Sequence, residues 1–250
     1  EYINILILGA GTGGTIMANR LRRRYSEARA TITVVDQDEQ HIYQPGLLFV
    51  PFGIYQPEEI VRTRSQQLHK GISYIQCIIK RVITDENAVE LADGRSLGYD
   101  LLIVATGTRL LVGETEGLGD TGWLKTMFDF YTLEGATALR GAMEQFEEGI
   151  LVINIVDMPI KCPVAPLEFA FLTDWYFHQR GIRDKVDIKF VTPLDGAFTR
   201  PVASKALNGM LEDKGVELIT EFSTGEVDGE QGCLTSFDER TVEFDLLVSI

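Results

Sequence analysis

The segment Gly9-Ala10-Gly11-Thr12-Gly13-Gly14 constrains this chain more than any other. It follows the apolar run Ile3–Leu8 without a break, and it opens a stretch, Gly14–Tyr25, with Ile16, Met17 and Leu21 on one side at helical spacing. Arg20, Arg22, Arg23 and Arg24 fall largely on the other side and read as a solvated face. A second β-rich run, Thr31–Asp36, completes strand, turn, helix and strand within about 36 residues. Such a unit places its two strands parallel in one sheet. Gly9 suits a tight turn, Gly11 lets backbone approach a pyrophosphate, and Gly14 lets helix and strand pack closely. A pyrophosphate there sits at the positive end of the helix, with free N–H groups as donors. Asp36, 22 residues beyond Gly14, ends the second strand. An acid at that place binds adenosine ribose hydroxyls and repels a 2′-phosphate. A glycine-rich turn with a chance acid is the bland alternative, but the strand–turn–helix context favours a dinucleotide site.

Composition removes other classes. The chain has 250 residues, 45% of them hydrophobic, enough for a core in one large domain or two modest ones. Lys and Arg number 23 against 37 Asp and Glu, a net charge of −14, which speaks against a nucleic-acid partner. Three scattered cysteines do not make a disulfide scaffold, and His41, His69 and His178 lack metal-ligand spacing, so no metal is expected. The longest stretch without Asp, Glu, Lys or Arg, Gln40–Pro57, holds Pro45, Pro51 and Pro57 and reads as a buried irregular loop, not a membrane span.

Further along, a short helix is expected near Pro57–His69, strands at Ile72–Ile79 and Ala88–Leu91, a turn at Asp93-Gly94, and a buried strand at Tyr99–Ala105. Gly113–Gly122 is a glycine-rich linker. A second α/β pattern follows: helix Phe128–Glu147, strand Ile150–Val156, helix Pro163–Arg180, strand Lys185–Val191, helix Pro201–Lys214, strand Val216–Phe222 and a hairpin-like end, Gly225–Ile250. Thr241–Ile250 ends in a buried apolar run, from which an N-terminal fragment of a longer protein is expected.

The turn after Ile150–Val156 reads Val156-Asp157-Met158-Pro159-Ile160-Lys161-Cys162-Pro163, with no glycine. Asp157 brings negative charge, side chains block backbone approach, and proline removes donors, so a nicotinamide dinucleotide is not expected there. Cys162 stands where a helix N-terminus and Lys161 favour the nucleophilic thiolate. It reads equally as a buried small hydrophobe. Glu168, six residues on, suits a base or proton relay.

Several motifs carry a family resemblance. The strand ending in Ala105-Thr106-Gly107-Thr108 resembles the "ATG" strand end of two-dinucleotide-domain flavoproteins. Lys161-Cys162-Pro163-Val164-Ala165-Pro166-Leu167-Glu168-Phe169 and Tyr43-Gln44-Pro45-Gly46-Leu47-Leu48-Phe49 resemble sulfide:quinone oxidoreductases and the flavoprotein of flavocytochrome c sulfide dehydrogenase. The resemblance covers essentially the whole chain. It implies an α/β fold of tandem Rossmann-like FAD/NAD(P)-binding domains in three layers, the second without its nicotinamide glycines. Residues 1–112 would be the first part of the FAD domain, residues 113–245 the second domain, and residues 246–250 a strand returning toward the FAD domain. FAD would be held by Gly9, Gly11, Thr12, Gly13, Gly14, Asp36, Gln37, Gln44, Pro45, Ile78, Ala105, Thr106 and Gly107.

The resemblance also implies a chemistry. Sulfide attacks a disulfide or polysulfide bridge, and a cysteine thiolate passes two electrons to a flavin that reduces quinone. Cys162 matches the first redox cysteine and Glu168 the proton handler, with the partner cysteine beyond position 250. Lys125–Glu147 lacks the further cysteine of many members, and Thr199 and Arg200 stand where several have a histidine. Cys77 and Cys233 are read as non-catalytic, and His178 as structural. Peripheral, monotopic attachment to a prokaryotic-type energy-conserving membrane, through segments past residue 250, is implied, and a homo-oligomer is compatible with it. The rival readings are a type II NADH:quinone oxidoreductase relative, a sulfide dehydrogenase passing electrons to a cytochrome, and an FAD-binding scaffold without activity.

Overall fold

A computed structural model describes residues 2–250. The chain forms two compact units. The first comprises residues through Tyr43 together with Ile60–Arg109, and the second Gln44–Glu59 together with Leu110–Ile250.

In the first unit four parallel strands lie in the order Ser73–Gln76, Ala30–Asp36, Ile3–Leu8, Leu101–Val104. Leu8 stands opposite both Val35 and Val104, so the strand ends that carry the candidate residues line up at one edge. Side chains alternate between two apolar faces, as strand geometry requires. Ile5, Ile7, Ile32 and Val34 pack with Ala18 of the helix Thr12–Arg24. Leu6, Leu8 and Val35 pack with Val89 and Leu91 of a three-stranded antiparallel sheet, Ile79–Ile83, Ala88–Leu91 and Ser96–Gly98. Each fully buried Ile, Leu or Val contributes about 1.5–3 kcal/mol, so these two faces hold the three layers together.

Local readings change here. The Pro57–His69 stretch is not a helix: it forms 3-10 turns at Pro57–Ile60 and Ser65–Gln67, and Val61–Thr63 between them pairs with Gln40–Ile42. The expected strand Ile72–Ile79 is divided, with Ser73–Gln76 in the parallel sheet and Ile79 opening the antiparallel one. Arg22 is not on the solvated face. It is buried and caps the helix end, its guanidinium donating to the carbonyls of Tyr25 (2.6 Å), Ala30 (3.1 Å) and Gly71 (3.0 Å).

The second unit repeats the layered plan. Its five parallel strands run in the order Met127–Phe128, Leu246–Ser249, Gly149–Asn154, Val186–Val191, Val216–Ile219. The helices Leu133–Gln145, Ala165–Gln179 and Pro201–Asp213 connect them. Val152, Val191 and Leu247 of this sheet share a core with Val227, Leu234 and Val242 of an antiparallel sheet, Thr224–Asp228, Cys233–Ser236 and Thr241–Glu243.

Two local readings gain detail in this unit. Leu246–Ser249 is an interior strand of its sheet, hydrogen-bonded on one side to Met127–Phe128 and on the other to Gly149–Asn154. The helix expected from Phe128 begins only at Leu133. The buried Asp129 carboxylate accepts the N–H groups of Tyr131 (2.8 Å) and Thr132 (2.7 Å), and Thr132 Oγ1 then caps the helix through the Gly135 N–H (2.9 Å). Gln44–Glu59 folds with the second unit because Phe52 packs on Phe169 with ring centroids 4.9 Å apart, and Arg140 donates to Gln56 Oε1 at 2.6 Å.

Candidate functional site

The glycine turn of the first unit has the geometry its residues imply. Gly9 adopts φ +95°, and a Cβ there would lie 2.3 Å from the carbonyl oxygen of Ala105. A Cβ on Gly14 would lie 1.8 Å from the Gly9 oxygen. Gly11 is different, because a Cβ there would meet nothing within 4 Å. Gly9 and Gly14 are therefore glycines for packing, and Gly11 leaves open space before the helix. Thr12 and Gly13 are the first helical residues, Gly11 makes no side-chain cap, and the first turn carries no acid. The first N–H groups of a helix have no partner inside it, so this end offers donors to an anion.

The other expected contacts are placed around this turn. Ala105 donates its N–H to the Leu8 carbonyl at 2.7 Å. Thr106 and Gly107 are exposed, and Gly107 adopts φ +74° with open space where a Cβ would stand. Asp36 Oδ2 accepts the Ala10 N–H at 2.6 Å, and Oδ1 accepts the Gln37 N–H at 2.7 Å. The Asp36 carbonyl accepts the N–H of Cys77 at 2.8 Å, which brings the exposed Ile78 one residue farther on. The open Gly11, the unpartnered helix end and the acid at the neighbouring strand end fit an adenine dinucleotide.

Sequence reasoning missed Arg64 in this unit. Its guanidinium meets Asp36 Oδ2 at 3.0 Å and Asp38 Oδ1 at 3.2 Å. Only the pairing of Gln40–Ile42 with Val61–Thr63 brings it there, and no local motif announces that pairing. Tyr74 donates its phenol to the Asp38 carbonyl at 2.5 Å, and burial together with the Glu39 and Asp36 charges pushes that phenol up to about 12.

In the second unit Gln44, Pro45, Tyr131, Lys161, Cys162 and Glu168 line one cavity of about 330 Å³, with Leu47, Leu48 and Phe130 among its apolar walls. Cys162 is exposed, three residues before the helix Ala165–Gln179, so the buried-hydrophobe reading does not describe it. It adopts φ +56°, a conformation most non-glycine residues avoid. Tyr131, unremarked in the sequence, donates its phenol to the Cys162 carbonyl at 3.0 Å. Burial raises the Tyr131 phenol, and the nearby Cys162 and Glu168 raise it further. Lys161 donates to Gln44 Oε1 at 2.7 Å and stands 5.3 Å from the Tyr131 ring centre. Burial lowers its ammonium below the usual lysine range, while Asp129 and Cys162 oppose that shift.

The helix end beside Cys162 offers an anion little. The Ala165 N–H already donates to the Cys162 carbonyl at 3.0 Å, and that of Glu168 to the Val164 carbonyl at 3.0 Å. Pro166 has no N–H. Among the described residues no cluster of His, Cys, Asp and Glu has the arrangement of a metal site.

Comparison with known proteins gives the family. The profile of the pyridine nucleotide-disulphide oxidoreductase family matches residues 3–153. The mitochondrial sulfide:quinone oxidoreductase of Mus musculus is 28% identical over 218 residues, covering 87% of this chain and 48% of that protein. The Dictyostelium discoideum mitochondrial enzyme of the same name is 26% identical, covering 97% and 54%. The chain thus spans about half the length of these curated relatives. Among solved structures, the sulfide:quinone oxidoreductase of Aquifex aeolicus superposes with a TM-score of 0.85 at 20% identity, over 99% of this chain and 58% of that one, a likeness of fold. With its glycine turn and the whole first unit from Ile3 onward inside the matched region, the chain belongs to the pyridine nucleotide-disulphide oxidoreductase family.

Proposed function

We propose that this chain is part of an FAD-dependent enzyme that oxidises sulfide to polysulfide or sulfur and delivers the electrons to quinone. The observation that carries the reading is Cys162. An exposed thiol opens onto a cavity shared with Glu168, at the turn where a nicotinamide site would need glycines and free N–H groups.

In this reading Gly9, Gly11, Thr12, Gly13 and Gly14 cradle the FAD pyrophosphate, and Asp36 with Gln37 takes the adenosine ribose. Ile78, Ala105, Thr106, Gly107, Gln44 and Pro45 are the further FAD contacts that the resemblance implies. When bound, FAD supplies a two-electron acceptor. Cys162 works with a second cysteine that the resemblance places beyond position 250. Hydrosulfide adds to the bridge between them: one sulfur keeps the added atom as a persulfide and the other leaves as a thiolate, and when these two join again as a trisulfide bridge the electron pair released goes to the acceptor. Glu168 takes the proton released as hydrosulfide bonds to sulfur. Lys161, held by Gln44, supplies positive charge beside the cavity.

Among the described residues no helix is long and apolar enough to cross a membrane, and peripheral attachment is the proposed route to quinone. The test is anaerobic mixing of the full-length protein with sulfide or with NADH. Sulfide is expected to bleach the flavin absorbance, and Cys162→Ser is expected to abolish sulfide oxidation while leaving flavin content unchanged. Bleaching by NADH and not by sulfide overturns the reading in favour of a nicotinamide-linked quinone reductase. Unchanged electron transfer in Cys162→Ser overturns the role of the thiol.

A further inference from the structure

Resting on the dinucleotide reading of the first unit, we infer that Arg64 is a positioning residue that sets the Asp36 carboxylate for the adenosine ribose and, through it, holds the glycine turn. The antiparallel pairing of Gln40–Ile42 with Val61–Thr63 returns the chain beside residues 36–39, where the Arg64 N–H donates to the Glu39 carbonyl at 2.9 Å. Its side chain is then forked between two carboxylates. Nη1 lies 3.0 Å from Asp36 Oδ2 and Nε 3.2 Å from Asp38 Oδ1, with the Arg64 and Asp36 side chains 14% and 13% exposed. A planar guanidinium held at two points has little freedom to rotate.

Asp36 is fixed from its other sides as well. Oδ2 also accepts the Ala10 N–H at 2.6 Å, and Oδ1 accepts the Gln37 N–H at 2.7 Å. A carboxylate has about four acceptor positions, and these three donors leave room for a ribose hydroxyl without allowing the group to turn. Ala10 lies between Gly9 and Gly11, and its carbonyl is gripped in turn by Thr15 Oγ1 at 3.0 Å and by His41 Nδ1 at 3.1 Å. One preset cluster therefore determines where the ribose hydroxyls dock and where the pyrophosphate turn stands. Without Arg64 the carboxylate keeps only backbone donors and loses its orienting partner, so ribose recognition weakens more than general cofactor affinity.

The test titrates deflavinated full-length protein with FAD and with an FAD analogue whose adenosine lacks the 2′- and 3′-hydroxyls, following the quenching of flavin fluorescence. Wild type is expected to prefer FAD by about tenfold, the size of one charge-assisted hydrogen bond. Arg64→Gln is expected to reduce that preference to about threefold or less. Arg64→Lys keeps the charge without the fork and is expected to lie between the two. It decides on the same criterion if the glutamine variant does not fold. Equal weakening of both ligands, with the wild-type ratio retained, is what a merely structural role produces and overturns the assignment. A wild-type protein that takes up FAD without preferring it overturns the ribose role of Asp36 and this inference with it. A wild-type protein that takes up no FAD overturns the dinucleotide reading itself.

Discussion

The phenol of Tyr131 donates a hydrogen bond of 3.0 Å to the carbonyl oxygen of Cys162, so a residue outside the cysteine motif fixes the backbone that presents the thiol. Tyr131 is itself fixed, because its N–H donates to the buried Asp129 carboxylate. Tyr131→Phe keeps the ring and removes the donor. A bond of this kind contributes about 1 kcal/mol, so cysteine-dependent turnover is expected to fall about fivefold, with flavin content unchanged. Steady-state sulfide oxidation beside the flavin absorbance spectrum checks this. Turnover equal to wild type shows that the contact does not position the thiol.

Cys162 holds φ +56° without being glycine. Cys162→Gly removes the thiol and suits the turn, whereas Cys162→Ala removes the thiol and keeps the strain. The glycine variant is expected to be more stable than the alanine variant by about 0.5–1 kcal/mol, although both lack the nucleophile. Denaturant melts of the two proteins measure the difference, and an alanine variant of equal or greater stability contradicts it.

Gly11 and Gly14 separate binding from folding. A Cβ at Gly14 would stand 1.8 Å from the Gly9 oxygen, whereas one at Gly11 meets nothing within 4 Å. Gly14→Ala is expected to destabilise the protein by at least about 2 kcal/mol. Gly11→Ala is expected to stay within about 0.5 kcal/mol of wild-type stability. Its FAD affinity is expected to fall on the order of tenfold, because the methyl enters the space left for the pyrophosphate. Thermal melts and flavin titrations of the two variants give the comparison.

Asp174 is buried between Arg183 Nε and Lys214 Nζ, each 2.8 Å away. Burial alone would raise its carboxyl, but the hydrogen bonds from Lys214 and Arg183 outweigh burial and hold it below the usual aspartate value of 3.8. A depressed folded-state value stabilises the protein above the unfolded value, and that stability is lost as pH falls through 3.8 toward the folded value. Urea midpoints are therefore expected to drop steeply below about pH 4 in wild type and less steeply in Asp174→Asn. At neutral pH the variant is expected to be less stable by about 1–2 kcal/mol, since the asparagine oxygen still accepts but no longer carries the charge that the part-exposed Arg183 and the exposed Lys214 face. Parallel acid limbs for the two proteins contradict the assignment.

Much of the first unit was legible because its signals are local. Gly9, Gly11, Gly14 and Asp36 stand in a strand–turn–helix–strand segment whose geometry leaves few alternatives, and the strand ends carry them to one edge. Arg64 was not legible, because its place depends on the pairing of two three-residue strands that carry no periodic pattern. Tyr131 was hidden in a stretch read as helix, where the Asp129 and Thr132 caps were not recognised as a start signal. The division between units was also out of reach: Gln44–Glu59 joins the second unit through Phe52 on Phe169, residues more than 100 positions apart. Arg22 looked like its neighbours, and only the carbonyls gathered around it distinguish it as buried.

The interior placement of Leu246–Ser249 bears on how the second unit is made during synthesis. Met127–Phe128 and Gly149–Asn154 are neighbours in sequence but not in the sheet, because the strand that joins them emerges from the ribosome about 100 residues later. Until then the N–H and C=O groups of Met127–Phe128 and Gly149–Asn154 that face this strand have no mate, although Gly149–Asn154 can already pair with Val186–Val191 along its other edge. Pairings of such long sequence separation form slowly and leave strand edges open to other chains. The gap between Met127–Phe128 and Gly149–Asn154 is therefore the last place in this sheet that synthesis can fill.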